Sequence, residues 1–371
     1  MSGDGRATAV SPARRPSPLV RLAPVVRILP AAAYVGLAVL VFTVRGVPLD
    51  RDRLSVWILG ALLCLSLGSL SGFVRSLFLE WLPLLAALTL YDVLRGIGGG
   101  RVPIHGELQI WIDRHVFGFG NVPSVWLQAH LFHHYRLGWV DYASWAVYMS
   151  YFVLTPVLLG VIWLVDRPLF RRYARQLTLL SFAAVTFFTL SPTIPPWLAS
   201  QQGMIGPTDR LIGIVGETMR GFDGTPLWER GVRLANAYAA FPSLHLGMTV
   251  LVSIVLWRHV PRAVRVLLVA YPLAMTFALT YTAEHYVVDL AAGAALAAAV
   301  AWAEPRITAG ITARWNARRK PVGEALPGPR APVRRRTSAA DRGAPPAGRA
   351  SSRRSRRRDP PASHRAAHPN T

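Results

Sequence analysis

Cysteine is almost absent: Cys64 stands alone in 371 residues, which excludes an intrachain disulfide and a cysteine-based metal site. Charge is scarce too. Only 16% of residues are charged, where a soluble domain has about a quarter, and acidic residues number 19 against 41 Lys and Arg. With 52% hydrophobic residues and a formal net charge of +22, an ordinary soluble globular domain is excluded. The figures reconcile if the apolar residues lie in membrane spans and the arginines lie at span ends and in a tail.

A span needs roughly 20 apolar residues. Runs near 29–46, 54–73, 76–95, 142–165, 176–191, 244–258, 266–283 and 286–303 qualify, with a weak boundary around Arg75 between the second and third. They predict an all-α integral membrane protein of about eight transmembrane helices. The first run extends from Leu29 to Thr43, longer than most signal-peptide cores, so an uncleaved span is expected. Four segments follow: a basic N-terminal segment (1–28), additional N-terminal helices (29–75), a membrane domain carrying the chemistry (76–304) and a basic tail (305–371).

Arginine placement gives the orientation. DRPLFRRYAR (Arg167, Arg171, Arg172, Arg175) and RHVPRAVR (Arg258, Arg262, Arg265) are short basic connections, cytoplasmic by the positive-inside rule, as are both termini. Eight spans satisfy all four assignments. Segments 97–140 and 192–243 and the turn at 282–285 then face outward, at the cell membrane's extracytoplasmic side. IWIDRHVF and VPSVWLQAHLFHH in the first of these suit helices lying in the interface. From about Arg314 the composition turns to Arg, Pro, Ala and Ser, too polar to fold. A disordered tail held near anionic lipid by its arginines is expected, with no nucleic-acid partner.

Two segments carry the chemistry. AAFPSLHLG holds Ser243 and His245; TAEHYVVDLAAG holds His285 and Asp289. Each sits where an outward loop enters an apolar helix, and ionisable groups at the lip of a bilayer are functional by default. His285 and Asp289 are four apart and share a helix face. The carboxylate fixes one ring nitrogen and leaves the other as a nucleophile. His245 is placed to protonate a leaving oxygen and then to deprotonate an incoming hydroxyl. Ser243 offers a hydroxyl to a phosphoryl oxygen, and the positive end of the helix starting near Leu244 favours the same anion. Alone, each residue has a plain structural use as a cap or interface group; convergence on one face favours chemistry. A metal held by His245, His285 and Asp289 is the rival reading, and no second-shell pattern supports it. His130, His133 and His134 have ligand-like helical spacing, yet interfacial histidines need no metal. No metal and no cofactor are expected. Pro195, Pro196, Trp197 and Tyr286 are candidates for the wall of a substrate cleft, and Trp197 serves equally as a headgroup-level anchor.

The strings PTIPPW (192–197), FPSLH (241–245) and HYVVDLAAG (285–293) together resemble the type 2 phosphatidic acid phosphatase superfamily. Within it they are most similar to the branch of inositol phosphorylceramide synthases, and HYVVD also resembles a motif of sphingomyelin synthases. The resemblance implies an antiparallel helical bundle made by the last six spans, with no metal requirement. It also implies His285 as the phosphorylated nucleophile, Asp289 as its orienting partner, His245 as general acid and base, and Ser243 as a phosphate ligand.

The chain departs from that pattern. Phosphatase members carry a lysine and an arginine in the first motif and an arginine six residues before the nucleophile. Here the first motif has no cation and position 279 is Leu279. A diester carries one negative charge where a monoester carries nearly two, so losing guanidinium groups, each bond contributing about 1.5–3 kcal/mol, costs less with a diester. Arg210, Arg220, Arg230 or Arg233 in the outward loop is placed to fold back and restore a cation. The expected activity is transfer of a phospho-headgroup, such as inositol phosphate, between a phospholipid and an alcohol. The alternative is a lipid-phosphate phosphatase acting on phosphatidate or a polyprenyl diphosphate. A non-enzymatic transporter or scaffold ranks below both, because transporters place ionisable groups near mid-membrane.

Overall fold

The computed structural model describes residues 30–42, 51–66, 70–97, 104–118, 120–134, 136–220 and 236–319. The basic N-terminal segment, most of the tail, and Arg230 and Arg233 lie outside these residues. The described chain is helical, with two isolated bridges, His105 to Thr193 and Thr193 to Ala239. In order come α1 (Pro30–Phe42), α2 (Arg51–Leu65), α3 (Leu70–Ser76) and α4 (Leu82–Ile97). A π-helical turn, Leu77–Trp81, joins α3 and α4 into one rod. The outer segment holds α5 (Glu107–Ile112), extended by a π turn over Asp113–Phe117, and α6 (Pro123–Leu131). The long α7 (Trp139–Val165) and α8 (Arg167–Leu190) precede the short α9 (Pro196–Gln201) and α10 (Leu211–Thr218). Finally come α11 (Leu244–Leu256), α12 (Arg262–Tyr281) and α13 (Val287–Arg319).

Among the described residues, four helices are long and apolar enough to cross a membrane: Leu70–Gly96, α7, α12 and Val287–Arg318. Three shorter apolar helices accompany them: α1, Ser55–Leu65 and α11. Three boundaries differ from the sequence expectation. Arg75 lies inside a continuous helical rod, because arginine is a good helix former and nothing beside it stops the turn. The helix expected at 176 begins at Arg167, where Asp166 Oδ1 accepts the Leu169 N–H at 2.9 Å and Pro168 suits the first turn. The last helix runs past Glu304 to Arg319, although the expected span stops near 303.

Two carboxylates fix the arginine-rich end. Glu80 accepts from Arg167 Nη1 at 2.8 Å, Arg171 Nε at 2.8 Å and Trp163 Nε1 at 3.0 Å. Glu304 accepts from Arg175 Nε at 2.6 Å. These contacts give the helix directions. α7 ends at this clamp and α8 leaves it, while α13 starts at Val287, just after His285, and reaches it at Glu304. Seventeen residues separate Val287 from Glu304, about 25 Å of helix, close to a bilayer's apolar thickness. The helices therefore alternate up and down between an arginine clamp at one end and the two histidine segments at the other. Leu177, Leu180, Ala184 and Phe188 of α8 line one buried stripe at helical spacing, packed with Leu251 of α11, Met275 of α12 and Leu290 of α13.

Candidate active site

Two helix starts make the site. At α11, Ser243 is the N-cap and its Oγ accepts the Leu246 N–H at 3.4 Å, the use for which serine is favoured there. At α13 the cap comes from far away in sequence: Asp113 accepts the Val287 and Val288 N–H groups at 2.9 and 3.0 Å. Asp289 Oδ2 accepts the Tyr286 N–H at 3.1 Å. Burial pushes the Asp113 carboxyl up to about 6; its two amide donors oppose the shift, and the nearby Asp289 charge adds to it. The turn before His285 holds Ala283 at φ 59°, the left-handed region that costs a Cβ-bearing residue about 1–2 kcal/mol. Such strain persists where the surroundings hold it. Here the Ala283 carbonyl accepts the Trp197 N–H at 3.1 Å, which docks PTIPPW against the turn.

Two glycines let the helix starts touch. A Cβ on Gly293 would lie 2.1 Å from the Ser243 carbonyl oxygen, and one on Gly247 would lie 3.1 Å from the Gly293 oxygen. The Ser243 N–H donates to the Asp289 carbonyl at 2.9 Å. Backbone thus meets backbone, and the imidazoles are carried together. The His245 and His285 ring centroids are 5.6 Å apart at 62°. His285 Nδ1 faces Asp289 Oδ2 at 3.7 Å, longer than a hydrogen bond. His245 Nε2, His285 Nδ1 and Asp289 Oδ1 are all buried without hydrogen-bond partners. Three such atoms in one place are uncommon in a folded protein and are expected at a reactive site.

His245 is walled by rings that the sequence reading did not single out. Tyr148 stacks on it at 4.9 Å, Tyr151 lies at 4.4 Å and Phe152 at 6.0 Å. All three come from the middle of α7, where an aromatic run reads as ordinary membrane-span composition. Asp113 was also missed as a site residue; its string, IWIDRHVF, carries only an interfacial signal.

Arg210 and Arg95 are among the described arginines at this end. Arg210 forms a fork on Glu284, Nε to Oε1 at 2.7 Å and Nη2 to Oε2 at 3.3 Å, with its guanidinium 4.6 Å over the Trp197 ring. Of the loop arginines considered as a replacement cation, Arg210 thus lies beside the carboxylate of Glu284, the residue before His285. Arg95, near the end of α4, stands within electrostatic reach of His245, Tyr148 and Tyr151. Leu279 is fully buried in the core, and its carbonyl accepts from Glu284 and His285.

The cleft candidates separate. Pro195 and Pro196 are buried at the start of α9, and Trp197 sits half-buried beneath Arg210. Tyr286, expected at the cleft wall, is fully buried in an apolar cluster with Ile110, Val122, Ile194 and Ile205; the α13 turn directs it inward. His130, His133 and His134 do not converge as helical ligands, because α6 ends at Leu131. His130 stacks on Trp126 at 4.4 Å, and His134 Nδ1 faces Asp209 Oδ2 at 3.3 Å. Among the described residues no group of three or more His, Cys, Asp or Glu is arranged to hold a metal.

A fold of alternating helices with two histidines and an aspartate at paired helix starts defines a class. The family model described as PAP2 superfamily matches residues 113–303, and this chain belongs to that superfamily. It is an enzyme, a phosphotransferase or a phosphoric ester hydrolase. A relative is the inositol phosphorylceramide synthase catalytic subunit aur1 of Schizosaccharomyces pombe, 27% identical over 163 residues. The match covers 43% of this chain and 38% of that relative's length. No solved structure matches.

Proposed function

We propose that this chain is a multi-pass membrane phosphotransferase that moves a phospho-headgroup, such as inositol phosphate, from a diester lipid to an alcohol. The reading rests above all on the approach of His245 and His285 to 5.6 Å. His285 Nε2 attacks phosphorus while the P–O bond to the lipid alcohol breaks, and His245, as imidazolium, gives that oxygen its proton. The neutral His245 then takes the acceptor's proton, and the acceptor oxygen displaces His285. Asp289 orients His285 and offsets the charge on its ring. Ser243, already a helix cap through its oxygen lone pair, has its O–H left to donate to a phosphoryl oxygen.

Two observations favour a diester and an alcohol acceptor. Arg210 and Arg95 each stand beside a carboxylate, Glu284 and Asp92, so the site offers little excess positive charge for a dianionic monoester. The Tyr148, Tyr151 and Phe152 rings restrict water around the general base. In this reading α1, α2, the α3–α4 rod, α7, α8, α11, α12 and α13 make eight crossings of the cell membrane. Both termini are cytoplasmic and the histidines lie at the extracytoplasmic face, on arginine placement. The test is a product assay by lipid mass spectrometry on purified protein with matched monoester and diester donors, with and without inositol, glycerol or a ceramide-like alcohol. Alcohol-dependent headgroup transfer from the diester supports the reading. A strong monoester preference with release of inorganic phosphate makes the enzyme a lipid-phosphate phosphatase instead.

A further inference from the structure

His285 hangs on a turn that its own backbone does not favour. α12 closes with the Ala283 N–H on the Thr280 carbonyl and the Glu284 N–H on the Leu279 carbonyl, both at 3.1 Å. A glycine usually fills the left-handed place in such a helix end; here Ala283 fills it at φ 59°. The Asp113 cap begins only at Val287, so residues 283–285 need other ties. One is the Trp197 N–H on the Ala283 carbonyl at 3.1 Å. The other is the fork from Arg210 to Glu284, at 2.7 and 3.3 Å. The same guanidinium lies 4.6 Å over the Trp197 ring, so one side chain braces both ties. The backbone behind Arg210 is fixed in turn. Gln128 Nε2 donates to the Asp209 and Tyr281 carbonyls at 2.9 and 2.8 Å, and its Oε1 accepts the Asp209 N–H at 2.8 Å. Tyr281, Gln128, Asp209, Arg210 and Glu284 therefore close a frame around the turn.

We propose that Arg210 and Glu284 are a positioning pair: their fork holds the Ala283 turn and thereby aims the His285 imidazole at phosphorus. Neither residue touches the reacting atoms. The side chains of Glu284 and Arg210 are 10% and 29% exposed, so water and salt screen the pair less than an exposed one. A guanidinium suits the role because two parallel bonds fix the direction of the carboxylate as well as its distance. The inference rests on the phosphoryl-transfer reading, with His285 as nucleophile, and adds what steadies that nucleophile.

The test uses the purified full chain in lipid nanodiscs with three readouts: thermal unfolding, turnover of a diester lipid donor, and labelling of His285 by diethyl pyrocarbonate mapped by mass spectrometry. Glu284→Gln and Arg210→Gln should each lower kcat about tenfold to a hundredfold without raising KM. The double variant should be no slower than either single one, because the two act as one unit. Arg210→Lys, which keeps the charge and loses the fork, should fall between, and it serves if Arg210→Gln does not fold. His285 is 6% exposed, so release of its turn should raise its labelling several-fold in the variants that lose the fork. Unchanged kcat, a raised KM at unchanged kcat, losses that multiply in the double variant, or wild-type labelling of His285 would each overturn the assignment. Fork-dependent labelling of His285 in a protein that turns over no lipid phosphate would instead leave the pair standing and remove the transfer reading.

Discussion

Gly293 of α13 faces the Ser243 carbonyl so closely that a Cβ on it would lie 2.1 Å away. The contact is backbone to backbone, so no side-chain rotation relieves it. Gly293→Ala must part the two helix starts, and with them His245 and His285. Overpacking of this kind costs about 1–3 kcal/mol, and a shift of about 1 Å at a reacting group can cost about a hundredfold in rate. Thermal unfolding and turnover of Gly293→Ala should both fall, turnover the more. Gly310→Ala, with open space around it inside the same helix, should leave turnover unchanged and not lower thermal stability, since alanine is the better helix former.

The rings around His245 predict a change in partition. Tyr151→Ala removes a wall 4.4 Å from the imidazole and admits water to the general base. The ratio of hydrolysis to alcohol transfer, read from product masses in one assay, should rise, while Tyr151→Phe should keep the wild-type ratio. An unchanged ratio in Tyr151→Ala would show that this ring does not control acceptor choice.

Asp113 predicts a pH dependence. Its carboxyl is raised to about 6 from an unfolded value of about 3.9, so the folded state holds the proton more tightly. Its contribution to stability is fully present below pH ~4 and declines as pH rises through about 6. Between pH 7.5 and pH 5, wild type should gain about 1 kcal/mol relative to Asp113→Asn. Asp113→Asn should also be less stable at both values, because one amide oxygen cannot accept from both Val287 and Val288. Equal pH slopes for the two proteins would contradict this account of the α13 cap.

The distal clamp should be separable from the chemistry. Glu304 is 1% exposed and bonds Arg175 at the end of α13 remote from the histidines. Glu304→Ala should lower stability by about 1–3 kcal/mol and leave the KM of the folded enzyme unchanged. A raised KM at unchanged stability would show instead that the clamp acts on the site.

The sequence made some of these features legible and hid others for physical reasons. His245, His285 and Asp289 were readable because charge at a bilayer's edge is costly, so each marks itself against an apolar background. Arginine runs such as DRPLFRRYAR marked one end of the helices, and the structure pairs this one with Glu80 and Glu304. Gly247 and Gly293 close the two motif strings, but a small residue in an apolar helix is common, and only packing shows what it is against. Asp113 caps a helix 174 residues away, a partnership that local pattern does not carry. Tyr286 misled for the opposite reason, since adjacency to His285 in sequence puts its ring on another face of the turn.

The most direct measurement is mass spectrometry of the protein quenched during turnover with a diester lipid donor, mapping adducts to peptides. The account predicts a phospho-headgroup on His285, lost on adding an alcohol acceptor, absent from His285→Ala and formed more slowly when His245 is replaced by glutamine. An enzyme that turns over fully while His285 stays unmodified, or a His285→Ala protein with near-normal rates, would contradict it.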